Sequence, residues 1–201
     1  MSTQGDIGRT LRIVERLGIV RPRDLDPYGL ARQNLLRLER SGQLRRLGRG
    51  IYVAASHTLT EHHALAEVSK RAPRAVICLL SALWLHDLTS QAPYDVWIAI
   101  GNRDRKPRIE WPPIQTARFS DVALTSGIEE RLVEGVTVRV FSAAKTVVDC
   151  FAFRNRVGLD VALEALRQCR AEERCAMDDL WRFAEVCRMT NVMRPYLESV
   201  A

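Results

Sequence analysis

The sequence predicts an α+β protein in which a small basic domain, residues 1–55, precedes a larger neutral one, residues 56–201. Two observations carry this. Residues 1–50 hold eleven arginines and no lysine against five acids, a balance of +6 that equals the formal charge of the whole chain. The other 151 residues are therefore neutral, with nineteen bases against nineteen acids. The second observation is the order of the apolar periodicities: helical up to residue 40, strand-like between 93 and 141, and helical again from 142 onward. Helices, then strands, then helices describe an α+β body better than a doubly wound sheet.

The first domain can be read element by element. Ile7, Leu11, Val14 and Leu17 recur at helical spacing and Gly18 follows as a stop, so 7–17 is expected to be helix one. Pro22 suits the first turn of a short second helix, and Asp26-Pro27-Tyr28-Gly29 reads as a turn. A third helix is expected over 30–40, with Leu30, Leu35 and Leu38 inward and Ser41-Gly42 ending it. Residues 44–53 then read as two short strands joined by a Gly48-Arg49-Gly50 tip.

Three helices and a basic hairpin make a winged helix-turn-helix, in which the third helix enters the major groove and the hairpin lies over the adjoining backbone. Arginine, asparagine and glutamine match guanine and adenine edges bidentately, so Arg32, Gln33, Asn34 and Arg37 are the candidate base readers. Tyr28 is a candidate phosphate contact through its hydroxyl. Arg45, Arg46 and Arg49 would supply attraction independent of base sequence. The expected partner of this domain is double-stranded DNA. A solvated charged face, or a wing that binds protein, is the alternative for the same residues.

In the body, Thr60 is expected to cap a helix over 61–71, and the almost wholly apolar run 76–88 is expected to be a central core helix. Strands are expected at 93–100, 114–119 and 136–141, with a hairpin at 127–135. Helices are expected at 142–154, 159–170, 178–188 and 193–200. Arg103, Arg105, Lys106 and Arg108 form a second basic patch, whose partner could equally be DNA, RNA, an acidic protein or water alone.

Composition excludes several classes. No stretch approaches the ~18–20 apolar residues of a membrane span, and the charged start lacks the apolar core of a signal peptide. A soluble, cytoplasmic protein is expected. Cys78, Cys150, Cys169, Cys175 and Cys187 are odd in number and form no CxxC pair, so they are expected to be buried thiols rather than metal ligands. His57, His62, His63 and His86 have no metal-site spacing, and no phosphate-binding loop is present. Lys145 and Asp149, four apart on a helix, read as a structural ion pair, with a catalytic Lys–Asp couple as the alternative. A loose constellation of Asp95, Glu110 and Lys145 leaves a nuclease-like or nucleotidyltransferase-like enzyme as a minor alternative.

The chain resembles the AbiEi-type antitoxins. The resemblance lies in Leu35–Leu44 (LLRLERSGQL) with Leu47–Tyr52 (LGRGIY), in Ser81–Thr89 (SALWLHDLT), Val96–Ile100 (VWIAI) and Phe141–Cys150 (FSAAKTVVDC), and in Asn155–Leu166 (NRVGLDVALEAL). It spans roughly residues 7–198. It implies a type IV toxin–antitoxin system: an autorepressor acting on its own promoter through the winged helix, whose larger antitoxin domain counteracts a nucleotidyltransferase-like toxin, with or without direct contact. It implies no cofactor and no enzymatic activity. A winged-helix regulator whose body senses a small ligand is the second reading that the residues allow.

Overall fold

The computed structural model describes residues 3–200, with side chains from Gly5 onward. It is a mixed α/β structure made of two compact units. The first holds the chain up to Lys70 together with Leu132–Thr137, and the second holds Arg71–Arg131 and the chain from Val138. The division thus falls after Lys70, not after residue 55 as expected.

The first unit opens with α1 (Thr3–Leu17), a 3-10 helix (Pro22–Tyr28) and α2 (Gln33–Arg40). A two-stranded antiparallel hairpin follows, β1 (Leu44–Gly48) and β2 (Ile51–Ala54). Ile13, Val14, Leu25, Leu30, Leu35, Leu38 and Leu44 form its core. Leu30, Leu35 and Leu38 are inward as expected. On α1 the most buried face is Thr10, Ile13 and Val14, while Ile7, Leu11 and Leu17 are only partly covered. The second helix runs through the expected turn: Pro22 and Pro27 both fit a 3-10 helix, and Gly29, left-handed at φ 65°, ends it. Val20 pairs with Tyr52 by two backbone bonds of 2.9 Å, which ties the hairpin to the helices.

Two sets of polar contacts explain why this unit reaches beyond residue 55. The Lys70 ammonium lies 2.9 Å from the Asp24 carboxylate, and Arg21 donates to the Lys70 carbonyl, which fastens α3 (His63–Arg71) to the 3-10 helix. The second set converges on Glu134, in the turn between β6 (Ile128–Val133) and β7 (Val136–Phe141). Glu134 and Gly135 both have positive φ, 49° and 77°, the pairing that a two-residue type I′ hairpin turn requires. The Glu134 carboxylate is met by His57 at 2.9 Å, by His63 at 2.7 Å and by the amide and hydroxyl of Thr60 at 2.6 and 2.8 Å. Thr60 therefore spends its hydroxyl on Glu134 and does not cap the following helix with it. Gly18 and Gly135 are also required here. A Cβ at either would run into backbone, that of Glu134 or that of Leu17.

In the second unit a five-stranded sheet has the order β5-β4-β3-β7-β6, with β3 at Val76–Ile77, β4 at Val96–Gly101 and β5 at Ile114–Phe119. Its centre corrects one expectation. Val76–Ile77 is a strand, β3, antiparallel to β4 and parallel to β7. The chain turns helical only at α4 (Leu79–Leu85). A fully buried run has no periodicity to separate strand from helix, and the β-branched pair Val76-Ile77 favours the strand.

Short helices α5 (Asp121–Thr125) and α7 (Arg154–Val157) accompany the longer α6 (Ala143–Ala152), α8 (Leu159–Ala171), α9 (Met177–Val186) and α10 (Thr190–Ser199). Eight of the ten residues of α6 are buried, and it packs on α4, α8 and α9. Lys145 and Asp149 lie on this helix with side chains 0% and 1% exposed. The ammonium donates to both carboxylate oxygens at 2.6 Å and sits 4.2 Å from the Phe141 ring centre and 5.0 Å from that of Phe119. Burial pushes the Asp149 carboxyl up, to about 6, against the opposing pull of Lys145.

Two stability predictions follow from these buried charges. Burial alone would raise the Glu134 carboxyl, but the bonds from His63, His57 and Thr60 hold it at about 2. A depressed carboxyl stabilises the folded state above its unfolded pKa of 4.5, and this is lost as pH falls toward 2. Urea unfolding should show Glu134→Gln less stable at pH 7 by about 2–3 kcal/mol, with a flatter loss between pH 4.5 and 2. Lys145→Met strands a buried carboxylate and should cost about 3–5 kcal/mol, much of it regained in Lys145→Met/Asp149→Leu.

Candidate nucleic-acid interface

Of the eight residues of α2 three face the core and four face solvent, with Glu39 between. Asn34, Leu35 and Leu38 face inward, whereas Gln33, Leu36, Arg37 and Arg40 are exposed at the i, i+3, i+4, i+7 spacing of a single face. Arg32 immediately precedes this face and is also exposed. The candidate base readers are therefore not equivalent.

Asn34 is not available to a groove. It is 3% exposed, and its amide nitrogen donates to the Thr10 hydroxyl at 3.1 Å, which in turn donates to the Asp6 carbonyl at 2.7 Å. A buried amide needs such a partner. The sequence shows a base-reading residue type at position 34, but the helix phase turns it toward α1. Arg32 forms a two-pronged pair with the Asp26 carboxylate, Nε to Oδ1 at 2.9 Å and Nη2 to Oδ2 at 2.5 Å. This bond holds the Asp26 carboxyl below its usual range. The guanidinium is thus aimed but already paired.

Two outward residues escaped the sequence reading. Leu36 is 42% exposed between Gln33 and Arg40, and Arg40 extends the basic face by a turn. The helical spacing from Gln33 was the signal that could have found them. An exposed apolar side chain would gain by leaving water, as contact with a thymine methyl would allow.

Around the helix lie the other candidates. Tyr28 is half-buried, and its hydroxyl accepts from Arg16 at 3.1 Å, with that guanidinium over its ring. Arg45, Arg46 and Arg49 are exposed on the β1–β2 hairpin. Arg45 donates to the His57 carbonyl at 2.8 Å; Arg46 donates to Gly48 and lies over the Tyr52 ring. Arg49 sits at the turn beside Gly50, whose φ of 71° lets the chain reverse.

The residues of the enzymatic alternative have separate surroundings. Asp95 accepts from Gln115 at 2.7 Å, Glu110 is exposed, and Lys145 is spent on Asp149. No group of three or more histidine, cysteine, aspartate or glutamate residues is placed to hold a metal ion among the described residues. The basic loop after β4 leaves Arg103, Arg105, Lys106 and Arg108 exposed, with Asp104 turned back onto the Gly101 amide at 2.9 Å.

The cysteines need one correction. Cys169 and Cys175 are joined as a disulfide, closing the loop between α8 and α9. Six residues of separation match no metal pattern, but they do allow a turn to bring two thiols together. Cys78, Cys150 and Cys187 are free, the first two buried. Burial pushes the Cys187 thiol up, to about 12. Among the described residues no helix is long and apolar enough to cross a membrane.

Comparison with known proteins bears on both units. The chain is similar in fold to the RV2827C protein from Mycobacterium tuberculosis, known from a crystal structure. The TM-score is 0.62 at 14% identity, over 96% of this chain and 78% of that one. No curated protein matches. The family described as "Transcriptional regulator, AbiEi antitoxin" matches residues 9–55, the segment that holds α2 and the arginine hairpin. Over those residues, the chain carries the sequence pattern of the AbiEi antitoxin and transcriptional-regulator family.

Proposed function

We propose that the first unit is a winged helix-turn-helix that binds double-stranded DNA, with α2 in the major groove and the β1–β2 hairpin as the wing. The observation that carries this reading is the outer face of α2. Gln33, Leu36, Arg37 and Arg40 stand together on a short helix whose inner face is fully occupied, and an arginine hairpin follows directly. Gln33 and Arg37 read base edges in this arrangement. Arg32 contacts phosphate or base after exchanging Asp26 for DNA, and Tyr28 is positioned at the backbone with Arg16. Arg45, Arg46 and Arg49 supply the salt-sensitive attraction. Asn34 is left out, being part of the core.

The match over residues 9–55 and the resemblance of the body support a wider role. In this reading the protein is a non-enzymatic antitoxin of a type IV system. It represses its own promoter and counteracts a nucleotidyltransferase-like toxin encoded beside it, in the cytoplasm. The first unit serves repression and the second serves antitoxicity.

Fluorescence anisotropy with the chain's own promoter and a scrambled duplex tests the DNA interface. Gln33→Ala/Arg37→Ala should reduce the promoter's advantage by about 1–3 kcal/mol per lost base contact. Arg45→Ala and Arg49→Ala should weaken both duplexes alike, each lowering the salt slope by about 1. Asn34→Ala should instead cost about 1–2 kcal/mol of folding stability. Unchanged promoter preference in the Gln33/Arg37 variant would remove α2 from the groove. Co-expression with the neighbouring gene tests the wider role: growth should be rescued by the intact chain and also by the Gln33/Arg37 variant. Loss of rescue in that variant would sink the division of labour.

A further inference from the structure

The outer face of α2 carries one apolar side chain, Leu36. The other two leucines of the helix, Leu35 and Leu38, are fully buried, so Leu36 has no exposed apolar companion on α2. Its neighbours one turn away are Arg32 and Gln33 on one side and Glu39 and Arg40 on the other, and Arg37 follows it directly. A lone exposed leucine is ordinary on a protein surface, so these neighbours decide what it can serve.

A protein interface is centred on a contiguous apolar patch depleted of charge. Leu36 has the opposite setting, with arginines at three of the five positions around it. Those neighbours suit a base edge or a phosphate. The side chains of Gln33, Arg37 and Arg40 form no hydrogen bond or ion pair among the described residues, so all three are open to a ligand.

The chemistry of the major groove gives an apolar side chain a single match. Guanine, adenine and cytosine present only hydrogen-bonding groups there, whereas thymine adds its 5-methyl group. A leucine pressed against the amino group of cytosine or the N7 of a purine would take a polar group out of water without replacing its bond. Against the thymine methyl, two apolar surfaces leave water together. Leu36 is also the fourth residue of α2, in the N-terminal part from which a recognition helix contacts base edges.

We propose that Leu36 determines specificity for thymine at one position of the bound DNA site, by packing on the 5-methyl group. The inference rests on the placement of α2 in the major groove proposed above. It adds a readout that Gln33 and Arg37 do not supply, because they recognise hydrogen-bonding edges and Leu36 recognises a methyl group.

The test replaces the thymines of the promoter duplex one position at a time by deoxyuridine, which lacks that methyl and pairs in the same way. Fluorescence anisotropy then measures the full chain and Leu36→Ala on each duplex, with a scrambled duplex as reference and circular dichroism to show that the variant is folded. At one thymine position the replacement should weaken wild-type binding about fourfold, the effect of one methyl group. Leu36→Ala should bind the unmodified promoter more weakly and lose its sensitivity to deoxyuridine at that position. Gln33→Ala should keep that sensitivity. If the wild type prefers the promoter but no deoxyuridine position weakens it, the inference is overturned while the placement of α2 stands. It is also overturned if Leu36→Ala keeps the sensitivity, since another residue then reads the methyl, or if Leu36→Ala binds as the wild type does. A wild type that does not distinguish the promoter from the scrambled duplex removes the DNA-reading role of α2 itself, and this inference with it.

Discussion

Charge taken out of water has to be met by a partner, and the buried pair Lys145–Asp149 is where this constraint acts most strongly. Lysine is rare in this chain, with three lysines among thirty basic residues, yet one of them lies at the centre of the second unit. A compact ammonium between two aromatic rings and a carboxylate fits a space that a planar guanidinium would not. With both oxygens of Asp149 engaged, α6 can be buried along almost its whole length. The strands and helices around it then arrange themselves about a helix that has no solvent face.

The same requirement shapes the first unit at two further points. Glu134 is buried, and four donors from His57, Thr60 and His63 surround it, so the segment from His57 to α3 is fixed by a residue more than seventy positions away. Asn34 is buried on the same side of α2 as Leu35 and Leu38 and is met by Thr10, so the rotation that buries the leucines leaves no amide stranded. That rotation decides which side chains face outward. The face of Gln33, Leu36, Arg37 and Arg40 is thus what remains outside once Asn34, Leu35 and Leu38 are buried.

The arginines divide accordingly into held and displayed groups. Arg21 is tied to Asp24 and the Lys70 carbonyl, and Arg32 is paired with Asp26, while Arg37, Arg40 and Arg49 are displayed. A charge imbalance spread along the sequence becomes a surface with an exposed helix face and an arginine-bearing hairpin beside it. In the second unit Arg131, Arg174 and Arg182 belong to the held group. Each meets a carboxylate, and Arg174 meets two.

Much was legible in the sequence because it depends on neighbours along the chain. The order of helices, strands and helices followed from periodicity, and the inward leucines of α2 followed from spacing. The Gly-Arg-Gly turn followed from glycine's freedom at positive φ, and the Lys145–Asp149 pair from the pitch of a helix. What the tertiary structure decided depends on residues far apart. Whether Val76-Ile77 joins a helix or a sheet depends on β4 and β7 being there to pair with it. Whether Asn34 reads a base or fills the core depends on Thr10, and whether the first unit stops at residue 55 or at Lys70 depends on Glu134 and Asp24. The cysteine pair likewise exists only once the turn between α8 and α9 is closed. Local spacing sets what a residue can do, and the folded neighbours, by satisfying or stranding its polar groups, select which of those things it does.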